Sequence, residues 1–312
     1  MELLNHDESR QSIQLNAIAN DATLGESHEL ASADDNVSMQ SQQHQYPTGI
    51  KLIFILVNIA AVLVLACIDM NIIATALPSI TDHFHTVADV GWYSSAFRLC
   101  VCAFQFVFGK AYALFSVKYV FLLANVISIA GSVLCGTAAT STMLVIGRAV
   151  AGLGSAGLFA GCFVILVQSV PLRRRPMFMG IMGGVEGVAT LAAPLIGGAL
   201  TQSVGWRWCF YLNAPIGLMT ILLTMFCFTD ESKPDHITRL TLKQKAAQLD
   251  LVSNMVFIPA LTSLFLALSW AGTKYPWSSL NVIGPLIAFA ILLCASFIIK
   301  YDWATLPRSL HA

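Results

Sequence analysis

Charge is what this sequence has least of. Only 11% of its 312 residues are Asp, Glu, Lys or Arg, against about a quarter in soluble domains. With 56% of residues hydrophobic, most of the chain must sit in a medium that disfavours charge, and that medium is lipid. The 17 basic and 17 acidic residues cancel, so no net field draws nucleic acid and no nucleic-acid partner is expected. Histidine is missing from every long apolar run; His6, His28, His44, His83, His85, His236 and His311 all lie outside them. Without a His-rich metal box or a serine with a histidine partner inside the membrane, no metal, no cofactor and no enzymatic activity are expected. The eight cysteines fall within apolar runs and show neither zinc nor disulfide-framework spacing, so they read as small packing residues.

What is present is length in the apolar runs. Residues 1–48 are rich in Ser, Gln, Asn and Asp without periodicity, and read as a disordered cytoplasmic tail. They are not a signal peptide, because the first apolar run begins only near Lys51 and is far longer than a signal core. That run, Leu52–Leu77, is closed by Pro78. Others cover about 91–115, 119–138, 143–170, 177–200, 209–228, 251–271 and 282–300. Each reaches the roughly 20 residues needed to cross ~30 Å of hydrocarbon. The expected fold class is an all-α polytopic membrane protein of eight spans: a six-helix domain over 49–229, a cytoplasmic linker over 230–250, two additional membrane helices over 251–300 and a cytoplasmic C-terminus over 301–312. Leu240, Leu242, Ala246, Ala247 and Leu249 give the linker one apolar side for the membrane surface.

Orientation follows from the connections. Lys51, Lys110, Lys118, Arg173, Arg174, Arg175, Lys233, Arg239, Lys243, Lys245, Lys300 and Arg308 collect on one side, and only Arg207 and Lys274 on the other. The rule that basic loops stay inside makes both termini cytoplasmic. Asn36-Val37-Ser38 is a glycosylation sequon by pattern, expected to stay bare in such a tail. His83 and His85, either side of Phe84, read as solvated outer-loop residues.

Four ionisable residues lie within spans: Asp69, Arg98, Arg148 and Glu186. Such residues are costly in a bilayer and point to function by default. At 1.5 Å per residue, Asp69, Arg98 and Arg148 lie about 9–14 Å from the outer ends of their helices, and Glu186 about 16 Å from the inner end of its own. They are expected to share one layer, two bases facing two acids, with Arg98 as an intramembrane charge partner. Two readings stand. Either the charges pair structurally, or Asp69, Arg148 and Glu186 form a relay that releases a proton on one side and regains it on the other.

The stretch Gly180–Gly198, GIMGGVEGVATLAAPLIGG, carries Glu186 among small residues. Gly180, Gly183, Gly184 and Gly187 recur at helical spacing and are expected to lay a smooth face against a neighbouring helix. Pro194 sits in the helix interior, tolerated in bilayers where neighbours satisfy the freed carbonyl.

These residues resemble a known family. Ile68-Asp69-Met70-Asn71-Ile72-Ile73-Ala74-Thr75-Ala76-Leu77-Pro78 is similar to the first-span motif of drug:proton antiporters of the major facilitator superfamily, in its fourteen-spanner branch and most closely in fungal members. Leu144–Ala156, LVIGRAVAGLGSA, is similar to the fourth-span motif, with Arg148 at the position linked to proton transfer and Gly152 and Gly154 as close-packing glycines. Gly180, Pro194, Gly197 and Gly198 fit the fifth-span antiporter motif, with Ala189 and Ala193 replacing two glycines. Trp206–Gly217, WRWCFYLNAPIG, resembles the start of the sixth span. The likeness runs from about Leu52 to Lys300. In the loop after the second span, Ala113 and Ser116 stand where the superfamily usually has aspartate and glycine. Arg98 and Glu186 match no motif position.

The resemblance implies proton-coupled export of small hydrophobic molecules such as drugs, toxins or secondary metabolites by alternating access. The partners implied are membrane lipid, protons and the cargo, and the location is the plasma membrane, with the vacuolar membrane as the alternative. The family builds its path between two six-helix domains, and only the first is encoded here with two extra spans. The chain is therefore expected to be a fragment of a longer exporter, a truncated remnant that does not transport, or a half completed by self-association or by a second transporter half.

Overall fold

The structure is a computed structural model and describes residues 49–86, 89–228, 251–271 and 275–305. The expected tail (1–48), linker (230–250) and last seven residues lie outside them. The described residues form ten α-helices: α1 Ile50–Asn71, α2 Ile73–Phe84, α3 Val90–Leu114, α4 Val117–Gly136, α5 Ser141–Ser169, α6 Arg175–Ser203, α7 Trp208–Tyr211, α8 Asn213–Cys227, α9 Leu251–Trp270 and α10 Leu280–Thr305. A 3-10 turn, Leu172–Arg174, leads into α6. Seven stretches are long and apolar enough to cross a membrane, and Val256–Leu268 of α9 is a shorter apolar segment. The eight apolar runs therefore appear as helices.

The helices alternate in direction, as spans joined by short loops must. Two apolar clusters show this. At the end bearing Lys51, Lys118 and Arg173–Arg175, the first turns of α1 (Ile55, Ile59, Val62) meet the end of α3 (Tyr112), the start of α4 (Phe121, Ala124), the end of α5 (Leu158, Leu166) and the start of α6 (Met182). At the opposite end, Ile68, Ile72, Ala76 and Ile80 of α1–α2 meet Tyr93 of α3, Cys135 of α4, Leu144 of α5, Ala193 of α6 and Phe210 of α7. Helix α5 is the axis of the domain, the most buried of these helices, whereas α6 and α10 are largely exposed. Ser116 and Thr140 cap α4 and α5, accepting from the backbone N–H of Tyr119 (3.5 Å) and Met143 (3.2 Å), as N-cap hydroxyls do. Three buried asparagines fasten α8: Asn58 of α1 donates to Thr224 (2.8 Å), Asn125 of α4 to Thr220 (2.6 Å), and Asn213 to Ser132 of α4 (3.1 Å). Beyond the six-helix set, α9 packs on α3, with Phe257 edge-on to Phe106 at 5.4 Å.

One local expectation is refined and another corrected. Pro78 closes the apolar run but not the helix: helical backbone, interrupted only at Ile72, continues through Pro78 to Phe84. Proline removes one N–H donor, but here the ring is exposed and Thr81 Oγ1 donates to the carbonyls of Leu77 (2.9 Å) and Pro78 (2.7 Å). Beside that interruption, Asn71 Nδ2 donates to Cys67 O (2.8 Å) and Thr75 Oγ1 to Ile72 O (2.9 Å). Secondly, Gly180, Gly183, Gly184 and Gly187 do not face a packed helix among the described residues: a Cβ on any of them would meet nothing within 4 Å. Helix α6 packs on α1 and α2 through Met182, Ala189, Ala193 and Gly197 instead. Spacing identifies a smooth stripe, and the larger apolar surface of the line through Ala189 and Ala193 wins the contact.

Candidate functional site

The site is the buried ion pair between Asp69 and Arg148. Asp69 stands near the end of α1 and Arg148 two turns into α5, so antiparallel packing brings them to one level. Arg148 Nη1 donates to Asp69 Oδ1 at 2.8 Å, with side-chain exposures of 0% and 3%. A carboxylate and a guanidinium this far from water persist only as partners, since a lone buried charge is prohibitive.

The surroundings favour the cation on several sides. Arg148 Nε donates to the carbonyl of Tyr93 on α3 at 3.1 Å. The guanidinium lies over the Phe97 ring, 4.3 Å from its centroid, with Phe210 on a further side at 5.9 Å. Tyr93 and Phe97 are one helical turn apart and so share a face. Two glycines let α5 come close enough for this. A Cβ at Gly152 would run into the Phe97 carbonyl of α3, and one at Gly154 into the Ser128 backbone of α4. The pair is not saturated: Asp69 Oδ2 and Arg148 Nη2 have no hydrogen-bond partner among the described residues. The carboxylate is thus held by one oxygen only, beside a cation that also engages a carbonyl and an aromatic ring.

The other residues singled out by sequence lie elsewhere. Arg98 follows Phe97 directly and, adjacent helix positions pointing apart, is exposed; it joins no ion pair with a described residue. Glu186 is half-buried on α6, within electrostatic reach of the Cys67 thiol, which Thr190 also contacts. Cys67 and Asp69 are two residues apart and do not share a face of α1, so Glu186 approaches α1 from a different side than Arg148 does. In the fifth-span motif, Ala189 and Ala193 are buried against α1 and α2, and Gly197 abuts Thr75 and Ile72, where an added Cβ would lie 2.5 Å from Thr75 Oγ1. Pro194 is exposed and Gly198 meets nothing within 4 Å. Sequence reasoning missed Tyr93 and Phe97, because a backbone acceptor and an aromatic ring carry no signal in an apolar run, and it had Phe210 only within the sixth-span stretch, with no place beside Arg148.

Comparison with known proteins adds to this geometry. Residues 59–307 match the family model described as Major Facilitator Superfamily. The chain is similar to the MFS-type efflux pump MFS1 of Arthroderma benhamiae, 44% identical over 282 residues, covering 89% of this chain and 52% of that protein. It is also similar to the efflux pump aflT of Aspergillus parasiticus, 42% identical, covering 83% of this chain and 51% of the relative. A third relative, the aspyridones efflux protein of Neocamarosporium betae, is 41% identical, with coverage of 84% and 47%. Among solved structures, the bacterial homolog to the human lysosomal transporter Spinster, in its inward-facing and unoccupied conformation, shares the fold at a TM-score of 0.50 and 16% identity, covering 79% of this chain and 61% of its own. The chain spans about half the length of the curated relatives it matches.

Proposed function

Because the chain belongs to the major facilitator superfamily and its apolar helices make it an integral, multi-pass membrane protein, we propose that it supplies the proton-handling six-helix domain of an exporter of small hydrophobic molecules. The observation that carries this reading is the Asp69–Arg148 pair, buried at the centre of the domain with one carboxylate oxygen unengaged. Ionised, Asp69 ties α1 to α5 through Arg148. Protonated, it releases the guanidinium to the Tyr93 carbonyl and the Phe97 ring, and the tie between the helices slackens. Alternating release and capture would link a proton to the rocking of one helical unit against another. Glu186 is a second titrating group on α6, and Arg98 an intramembrane charge on the exposed face of α3. The bare stripe Gly180–Gly187, the exposed Pro194 and the uncrowded Gly198 form the surface along which α6 slides.

The efflux names of the relatives support the direction of transport, and the aspyridones exporter among them supports toxins or secondary metabolites as the cargo class. Fourteen spans in the complete assembly, both termini in the cytoplasm and the plasma membrane, or alternatively the vacuolar membrane, belong to the same reading. The test is drug efflux from vesicles carrying this polypeptide. Efflux that collapses with the proton gradient and is lost in Asp69→Asn supports the reading; coupling unchanged in that variant removes Asp69 from the mechanism.

A second reading is that the chain acts only when a further helical half, or a second copy of itself, closes over α6. It is favoured by the four glycines of α6 that meet nothing within 4 Å. Efflux absent from vesicles with the folded chain alone, and restored by co-reconstitution with a second half, distinguishes it. A remnant that does not transport would stay silent in both.

A further inference from the structure

A chain of hydrogen bonds at the opposite end of the bundle ends on the same arginine. Asp89 occupies the N-cap position of α3, yet its side chain makes no cap bond, although an aspartate there ordinarily accepts from the first turn's N–H groups. Its carboxylate is engaged elsewhere: Ser141 Oγ, at the start of α5, donates to Asp89 Oδ2 at 2.6 Å. Ser141 Oγ also lies 2.8 Å from the hydroxyl of Tyr93. A serine has one proton and an ionised carboxylate can only accept, which fixes the polarity: Tyr93 donates to Ser141, and Ser141 donates to Asp89. The Tyr93 ring is fully buried, and the backbone carbonyl of the same residue receives Arg148 Nε at 3.1 Å.

Tyr93 therefore grips α5 at two points, Ser141 through its hydroxyl and Arg148 through its carbonyl. The two lie seven residues apart, two turns along one face, or about 10.5 Å. With the hydroxyl anchored, the carbonyl cannot slide or rotate relative to α5 without breaking the bond to Ser141. We propose that Asp89, Ser141 and Tyr93 are positioning residues for Arg148: they set the register of α3 on α5 so that the guanidinium reaches Asp69 Oδ1. The inference rests on the reading of the Asp69–Arg148 pair as the working site and adds to it a control point near the membrane surface. The titratable group facing the pair is Cys135 from α4, while α3 presents the backbone carbonyl of Tyr93. Facing Asp89 through this chain are the Ser141 hydroxyl of α5, which does not titrate, and beyond it the Tyr93 phenol.

The test is infrared difference spectroscopy of the full chain in lipid nanodiscs, with the Asp69 carboxylate band identified by its loss in Asp69→Asn. Ser141→Ala and Tyr93→Phe are expected to displace that band in the same direction as Arg148→Lys, because each loosens the guanidinium. Ser141→Thr, which keeps the hydroxyl, leaves the band in place. Circular dichroism confirms helix content; should one variant fail to fold, Asp89→Asn reads the same network from its far end. A band unmoved by Ser141→Ala and Tyr93→Phe, in samples where Arg148→Lys moves it, overturns the proposal and leaves the pair standing. If the band moves as expected but drug never alters it, the positioning role holds and the proton-coupling reading fails.

Discussion

Removing one partner of the Asp69–Arg148 pair is expected to cost more stability than removing both. With exposures of 0% and 3%, neither charge can be rescued by solvent, and stranding one buried charge costs about 3–5 kcal/mol. The two single variants are unequal. In Asp69→Asn the guanidinium keeps the Tyr93 carbonyl and the Phe97 ring, a desolvated cation–π contact being worth about 2 kcal/mol, so the loss falls at the low end of that range. In Arg148→Gln the carboxylate loses its cation while Oδ2 is already without a partner, so the loss falls at the high end. The double variant Asp69→Asn/Arg148→Gln leaves two neutral amides within reach of one another and recovers most of the difference. Unfolding midpoints of the purified proteins, measured in one detergent at one scan rate, give the order wild type, double, Asp69→Asn, Arg148→Gln. Additive losses, with the double variant worst, would refute the claim that the two charges form one electrostatic unit.

Other outcomes follow from the packing. Gly154→Ala drives a methyl into the Ser128 backbone and lowers stability by about 1–3 kcal/mol, the usual cost of overpacking; Gly187→Ala, with nothing within 4 Å, is neutral or raises it by up to about 1 kcal/mol. Both are read by the same midpoint assay. Phe97→Leu keeps an apolar side chain but loses the ring under Arg148 and is expected to cost about 2 kcal/mol. Arg98→Gln leaves the midpoint where it is, whereas Arg148→Gln lowers it, although both remove an arginine from an apolar run. Asn125→Ala removes the amide donated to the Thr220 hydroxyl, which keeps its own bond to the Gly217 carbonyl, and costs about 0.5–1.5 kcal/mol.

Much of the fold was legible because a bilayer permits few solutions. Runs of twenty apolar residues must be helices, and all eight appear. Asp69 and Arg148 stood out as charges where charge is costly, and a rise of 1.5 Å per residue placed them at a common depth. What depth does not supply is azimuth. Arg98 lies in the same depth range, but its neighbour Phe97 took the inward face, and Glu186 reaches α1 from the side of Cys67 rather than of Asp69. The glycine stripe of α6 shows the same limit: periodicity announces a face without saying what stands opposite. Pro78 marks the end of the apolar run and not of the helix, since the helix can continue through a proline whose ring is exposed and whose turn is held by Thr81. The Tyr93 carbonyl was invisible, because a main-chain acceptor has no letter in the sequence.

The most direct measurement is proton movement linked to drug efflux in vesicles carrying this polypeptide, compared between wild type and Asp69→Asn at equal amounts of folded protein. Export driven by the proton gradient in the wild type, and abolished in Asp69→Asn, is the predicted result. Export that proceeds without regard to the gradient, or survives Asp69→Asn undiminished, would contradict the assignment of the pair as the coupling site.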